Sequence, residues 1–157
     1  MEWDFEFDVV VVGSGNGALT AALCSHDGGA KTLVIEKSDQ FGGTSATSGG
    51  GVWIPNNRYA KAENVDDSDQ DARNYINSVS PEGMIKDELV ETYLAEGPRM
   101  IDYLHENSQV KYRNLAHYPD YFPDNSGGKE GNRSMEPEPI FGTELGDDLS
   151  KLREQHP

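Results

Sequence analysis

A glycine-rich hexapeptide between two strand-like runs sets the strongest limit on the fold. Gly13-Ser14-Gly15-Asn16-Gly17-Ala18 fits G-x-G-x-x-G/A, with alanine at the third small position. It follows a β-branched run, Phe7-Asp8-Val9-Val10-Val11-Val12, and leads into helix formers from Ala18 to Ser25. The first run reads as a buried strand. Gly28-Gly29 closes the helix, and Lys31 to Lys37 supplies a second short strand. Strand, turn, helix and strand within about 30 residues make a βαβ unit with parallel strands and a right-handed crossover. In that context the small residues have physical tasks. Gly13 allows the tight turn, Gly15 lets the backbone approach a pyrophosphate, and Ala18 lets the helix lie close to the strand. Ser14 and Gly17 complete the same loop and count with it as ligand-binding. The pyrophosphate meets free N–H groups and the positive end of the helix dipole.

An acid at the end of the second strand strengthens this reading. Glu36 lies 21 residues after Gly15, where a carboxylate accepts hydrogen bonds from both ribose hydroxyls and repels a 2′-phosphate. NAD and FAD share these features, and the next segment separates them. Phe41-Gly42-Gly43-Thr44-Ser45-Ala46-Thr47-Ser48-Gly49-Gly50-Gly51 holds five glycines and four hydroxyls. Such a stretch, with few features of regular structure, brings backbone N–H groups and short hydroxyls against a large flat ligand. A flavin ring with its ribityl chain needs that approach, so the expected cofactor is FAD.

Glu36-Lys37-x4-Gly42-Gly43-Thr44-Ser45-x2-Ser48-Gly49-Gly50 resembles the FAD segment of the fumarate reductase and succinate dehydrogenase flavoprotein superfamily. Ser48-Gly49-Gly50-Gly51-Val52-Trp53-Ile54-Pro55-Asn56-Asn57 narrows the resemblance to the branch of 3-ketosteroid 1-dehydrogenases. Tyr118-Pro119-Asp120-Tyr121-Phe122-Pro123 and Gly127-Gly128-Lys129-x2-Asn132-Arg133-Ser134-x-Glu136-Pro137 are similar to the same branch. The resemblance implies FAD contacts at Gly13, Ser14, Gly15, Gly17, Ala18, Glu36, Lys37, Gly43, Thr44, Ser45, Ser48, Gly49 and Gly50. It also implies an FAD-dependent dehydrogenase that introduces a C=C bond next to a ketone. A base removes the proton beside the carbonyl, donors stabilise the enolate oxygen, and hydride passes to flavin N5. The family tyrosine in the Pro-Asp-Tyr-Phe motif maps to Tyr121, which supports the main base by hydrogen bonding. Tyr118 is a weaker candidate on the same segment. The implied partners are a small-molecule substrate, with 3-ketosteroids as the class, and an electron acceptor.

The remaining chain reads as helices followed by a loop-rich lobe. Residues 61 to 96 hold ten acids and three bases, nearly half of the net charge of −15. Ser68 or Asp69 caps a helix to about Val79. Met84, Ile85, Leu89, Tyr93 and Leu94 predict a second amphipathic helix, which Gly97-Pro98 breaks or restarts before Met100, Ile101 and Leu104. The acids are read as the wet faces of these helices. A strand is expected within Val110–Tyr118, a long ordered loop from Pro119 to Gly142, and a last short helix on Leu145, Leu149 and Leu152. Arg133 is read as a surface arginine in preference to one paired with an acid in the loop, and Cys24 as a core residue of the first helix. The expected class is α/β: a Rossmann-like FAD-binding βαβ unit and flavin loop over 1–60, an acidic helical segment over 61–108, and a Pro/Gly-rich lobe over 109–157.

Composition limits partners. A pI near 4.4 disfavours nucleic acid and anionic membrane surfaces. No stretch approaches the length of a transmembrane helix, the first residues do not form a signal peptide, and the lone cysteine forms no internal disulfide. Cytoplasmic location is the expectation. The four histidines have no ligand spacing, so no metal site is expected. Enzymes of the resembled branch are several times longer than 157 residues, so the chain reads as the N-terminal portion of such an enzyme, with an incomplete FAD domain and no turnover by itself. The main catalytic base then lies outside it. Two other readings stay open at this level: a fumarate reductase-type flavoprotein acting on a small dicarboxylate, and a non-catalytic nucleotide-binding domain.

Overall fold

The computed structural model describes residues 3–155. It is a mixed α/β structure of two compact units. The first comprises the described residues up to Gly50 together with those from Pro139 onward; the second is Gly51–Glu138. The sequence divisions at 60 and 108 follow composition, whereas these units follow contacts.

In the first unit, β1 (Val9–Val12), α1 (Asn16–Asp27) and β2 (Thr32–Ile35) form the βαβ unit. The strands pair in parallel from Val9 with Thr32 to Val12 with Ile35. The ladder continues one residue into the turn, where Gly13 N donates to Ile35 O at 2.7 Å. The helix stops in a Schellman arrangement: Ala30 N donates to Ser25 O and Gly29 N to His26 O, with Gly29 at φ +86°. The expected buried strand is corrected here. Val12 is 78 % exposed and Val10 is exposed too, because α1 covers one face of a sheet that has two strands among the described residues. Cys24 is likewise exposed on α1 and packs in no core.

The glycine-rich stretch expected to lack regular structure folds locally into the short helix α2 (Gly43–Thr47). The chain also returns to this unit at its far end. Residues Gly142–Lys151 form a 3₁₀ segment interrupted at Gly146, and Leu152 then bridges in parallel to Phe41. Leu152 therefore belongs to a strand-like contact and not to the last helix.

The second unit contains β3 (Val52–Trp53), α3 (Arg58–Ala62), α4 (Asp69–Val79), α5 (Asp87–Asn107), β4 (Tyr112–Asn114) and β5 (Ser134–Pro137). Its sheet is antiparallel in the order β3-β5-β4. Strand β5 lies inside the stretch expected to be loop. It has no β-branched residue, so its sequence carries no strand signal, and Met135 is instead drawn into the core. Ser68 caps α4 as expected, its side chain accepting from Asp71 N at 3.1 Å.

The second helix differs more. It runs unbroken through Pro98 from Asp87 to Asn107, and Met84 and Ile85 precede it. Its buried face is Val90, Leu94, Gly97, Ile101 and Leu104, while Leu89 and Tyr93 are exposed. Proline costs an interior helix about 3 kcal/mol. Packing on both sides of Pro98 offsets that: Leu94 lies with Ala72 and Val90, and Ile101 with Ile54, Tyr112 and Met135. Gly97 permits the contact, since a Cβ there would lie 3.3 Å from Ile54 Cδ1. This face assignment predicts that Ile101→Ala lowers stability by about 2–5 kcal/mol. Leu89→Ala should stay within about 0.5 kcal/mol of the parent. Denaturant unfolding midpoints of the two variants check it; equal losses would reverse the assignment.

Candidate functional site

The turn after β1 builds a cradle from backbone. Gly15 is the N-cap of α1 in extended conformation, and its carbonyl accepts from Leu19 N at 2.9 Å, the first bond of the helix. The N–H groups of Gly17 and Ala18 precede that bond and so have no acceptor within the helix. Space is open above the turn: a Cβ placed on Gly13 or on Gly17 would meet nothing within 4 Å. No side chain caps α1 from its own N-cap position. These are the features that suit a pyrophosphate.

Ser14 holds the parts together. It is buried, its hydroxyl donates to Glu36 Oε2 at 2.5 Å, and it accepts from Gly42 N at 3.0 Å. One hydroxyl thus ties the turn, the end of β2 and the glycine-rich segment. The Ser14 hydrogen bond, together with Ser38 N donating to Glu36 Oε1 at 3.0 Å, lowers the Glu36 carboxyl below its ordinary range. The ionised carboxylate keeps lone pairs for further donors such as ribose hydroxyls. Ser14 was expected among the FAD contacts; its hydroxyl is bonded to Glu36 and Gly42 within the protein.

The glycine-rich segment meets the turn directly. A Cβ on Gly43 would lie 3.3 Å from Gly15 Cα, and Ser45 Oγ accepts from Asn16 N at 3.0 Å. Gly42 makes the approach possible. It sits at φ +108°, and a Cβ there would be 2.6 Å from Ala46 Cβ. Ser48 closes α2: its hydroxyl donates to Ser45 O at 2.8 Å and accepts from Gly50 N at 3.1 Å. The structure therefore gathers Gly13, Ser14, Gly15, Gly17, Ala18, Glu36, Gly43 and Ser45 into one cradle, with Ser48, Gly49 and Gly50 on the backbone that follows α2. Thr44 and Lys37 are exposed. These donors and this open space fit the ADP part of FAD.

The second unit carries a separate apolar pocket of about 380 Å³. Trp53, Tyr75, Ile76, Val79, Ile85 and Phe122 line it, and Tyr118 and Tyr121 belong to the same lining. Tyr121 is 83 % exposed. Behind the wall lies an ion network in which Arg133 takes the less favoured of its two sequence readings, pairing with the loop acid Asp120, and gains a second partner, Asp67, that the sequence did not indicate. Arg133, expected at the surface, is 1 % exposed and bridges Asp67 and Asp120 at 2.7 and 2.9 Å. Its guanidinium lies over the rings of Trp53 and Tyr75. The only sequence signal for this network was the acid beside Tyr121, since Asp67 reads as one more surface acid. Among the described residues no group of His, Cys, Asp and Glu is arranged to hold a metal ion.

Comparison with known proteins agrees with the cradle. The family described as FAD binding domain matches residues 8–156. The chain belongs to this family. It is 42 % identical over 147 residues to a 3-oxosteroid 1-dehydrogenase of Mycolicibacterium smegmatis, a match covering 94 % of this chain and 26 % of the relative. It is 39 % identical over 132 residues to a 4-oxocyclohexanecarboxylate 2-dehydrogenase of Sinomonas cyclohexanicum, covering 84 % of this chain and 23 % of that one. The crystal structure of 3-ketosteroid delta1-dehydrogenase from Sterolibacterium denitrificans, in complex with 1,4-androstadiene-3,17-dione, superposes with a TM-score of 0.89 at 41 % identity. That likeness covers 96 % of this chain and 26 % of the neighbour. This FAD binding domain chain thus spans about a quarter of the length of the curated relatives it matches. Among the described residues no helix is long and apolar enough to cross a membrane.

The geometry predicts distinct roles for Glu36 and Ser14. Glu36→Ala should weaken FAD binding about tenfold or more, through loss of charged hydrogen bonds to ribose. Ser14→Ala keeps the carboxylate but removes the main cause of its lowered titration. In the parent, binding that depends on the ionised Glu36 holds until pH falls below the ordinary carboxylate range. In Ser14→Ala that loss should begin at higher pH. Flavin fluorescence titrations across pH check both, and parent-like affinity in Glu36→Ala would remove the ribose role.

Proposed function

We propose that this chain holds the ADP part of FAD and presents an active-site tyrosine in an enzyme that oxidises a CH–CH bond beside a ring ketone. A 3-ketosteroid is the substrate in this reading, and a separate electron acceptor completes the cycle. One observation carries it: Tyr121 is displayed to solvent at the edge of an apolar pocket, in a chain whose first unit is a dinucleotide cradle.

FAD, when bound, supplies the two-electron acceptor for such a dehydrogenation. The chain's own residues bind and orient. The N–H groups of Gly17 and Ala18 meet the pyrophosphate, and Glu36 grips the ribose. Gly43, Ser45 and the backbone from Ser48 to Gly50 line the path beyond. Thr44 and Lys37 lie exposed beside these elements and complete the proposed contacts. The Tyr121 hydroxyl donates a hydrogen bond to the base that takes the proton next to the carbonyl. The pocket wall of Trp53, Tyr75, Ile76, Val79 and Phe122 suits fused apolar rings, and among the described residues its lining holds no Lys, Arg or His. A small dicarboxylate would call for paired cations there, so the lining supports the apolar ketone. The single cysteine agrees with a reducing, cytoplasmic setting.

The test uses the protein expressed from its complete reading frame, with 4-androstene-3,17-dione and a dye acceptor. The expected result is a flavin-containing protein that reduces the dye with formation of the dienone. Tyr121→Phe should lower kcat about tenfold or more at unchanged flavin content. Oxidation of 4-oxocyclohexanecarboxylate but not of the steroid would replace the substrate class. Protein that neither retains nor binds flavin would overturn the whole reading.

A further inference from the structure

We infer that Asp120 is the residue that positions Tyr121, with Arg133 and Trp53 as its anchors; this rests on the role of Tyr121 proposed above. The two neighbours could hardly differ more in environment. Asp120 is 4 % exposed, while Tyr121 is among the most exposed aromatic residues of the chain. The Asp120 carboxylate takes three donors. Trp53 Nε1 donates to Oδ1 at 2.6 Å; Lys129 N at 3.0 Å and Arg133 Nη1 at 2.9 Å donate to Oδ2. Its own backbone N donates to Lys129 O at 2.9 Å. On the other side of Tyr121, Phe122 N donates to Tyr75 Oη at 3.3 Å. Both flanks of the tyrosine are therefore bonded into the aromatic wall, while Tyr121 itself stays exposed.

The anchors are themselves held. Arg133 donates through Nη2 and Nε to Asp67 at 2.7 and 3.1 Å. Trp53 stacks on Tyr93, which donates its hydroxyl to Trp53 O. Gly131 presses against the chain leading into Tyr118, where a Cβ would lie 2.0 Å from Ala116 O. The 127–134 motif thus brackets the tyrosine segment, and Asp120 is where bracket and segment are joined. Asp120 faces the protein and acts through Tyr121. An asparagine cannot replace it, because one amide oxygen cannot serve donors on both sides of the group.

Two readouts on the protein expressed from its complete reading frame test this. The first is hydrogen exchange in Asp120→Asn. Exchange at Asp120, Phe122 and Lys129 should rise about tenfold or more, with α1 and α5 unchanged. Parent-like exchange there would overturn the inference whatever the activity. The second is a double-mutant cycle on steroid turnover with Asp120→Asn and Tyr121→Phe. Asp120→Asn should lower kcat with little change in KM, and the double variant should be no slower than the slower single one. Losses that multiply would make Asp120 merely structural and overturn the inference. If exchange rises but Tyr121→Phe keeps parent turnover, the role of Tyr121 falls while the positioning of its segment stands. Should Asp120→Asn fail to fold, Trp53→Phe removes the Oδ1 donor while keeping an aromatic ring in the wall, and unchanged exchange at 120–122 in that variant would be equally fatal.

Discussion

A buried guanidinium is the constraint on which the second unit depends. Taking Arg133 out of water costs several kcal/mol unless charge and hydrogen bonds are returned to it. Asp67 and Asp120 return both, from positions 66 and 13 residues away along the chain. The demand is strict, because removing one partner of a buried ion network leaves an uncompensated charge, at a cost of about 3–5 kcal/mol. Three remote segments must therefore meet at one point. Around it stand Trp53 and Tyr75, whose faces lie against the cation and which also line the apolar pocket. Ionic order behind the wall lets a Pro/Gly-rich segment hold a fixed shape without regular secondary structure.

The first unit solves a similar problem with a neutral group. Ser14 gives its one hydrogen to Glu36 and accepts one from Gly42. A carboxylate at a strand end and a glycine-rich turn are thereby placed by a single hydroxyl. The outer face of β1 remains exposed, with Val10 and Val12 open to solvent. Parallel strands are ordinarily covered on both faces.

Much of the cradle was legible because its logic is local. The turn from Gly13 to Ala18, the strand-end acid Glu36 and the Schellman stop at Gly29 all follow from chemistry within a few residues. The cap at Ser68 was legible for the same reason. The long helix was readable in extent but not in face: Met84, Leu89 and Tyr93 match helical spacing as well as the buried set does, and only packing on Ile54 and Ala72 selects between them. Strand β5 was invisible, since Ser-Met-Glu-Pro carries no strand preference and pairs because β3 and β4 flank it.

By itself, then, the sequence determined the βαβ unit, its dinucleotide chemistry and the segment that bears Tyr121. Tertiary structure alone decided that Arg133 is interior, that Asp67 is not a wet acid, and that Pro98 sits within an unbroken helix. The physical reason is range. Turn, cap and phosphate chemistry are set by neighbouring residues. The burial of a charge or the tolerance of a proline is set by partners that only the folded chain brings into contact.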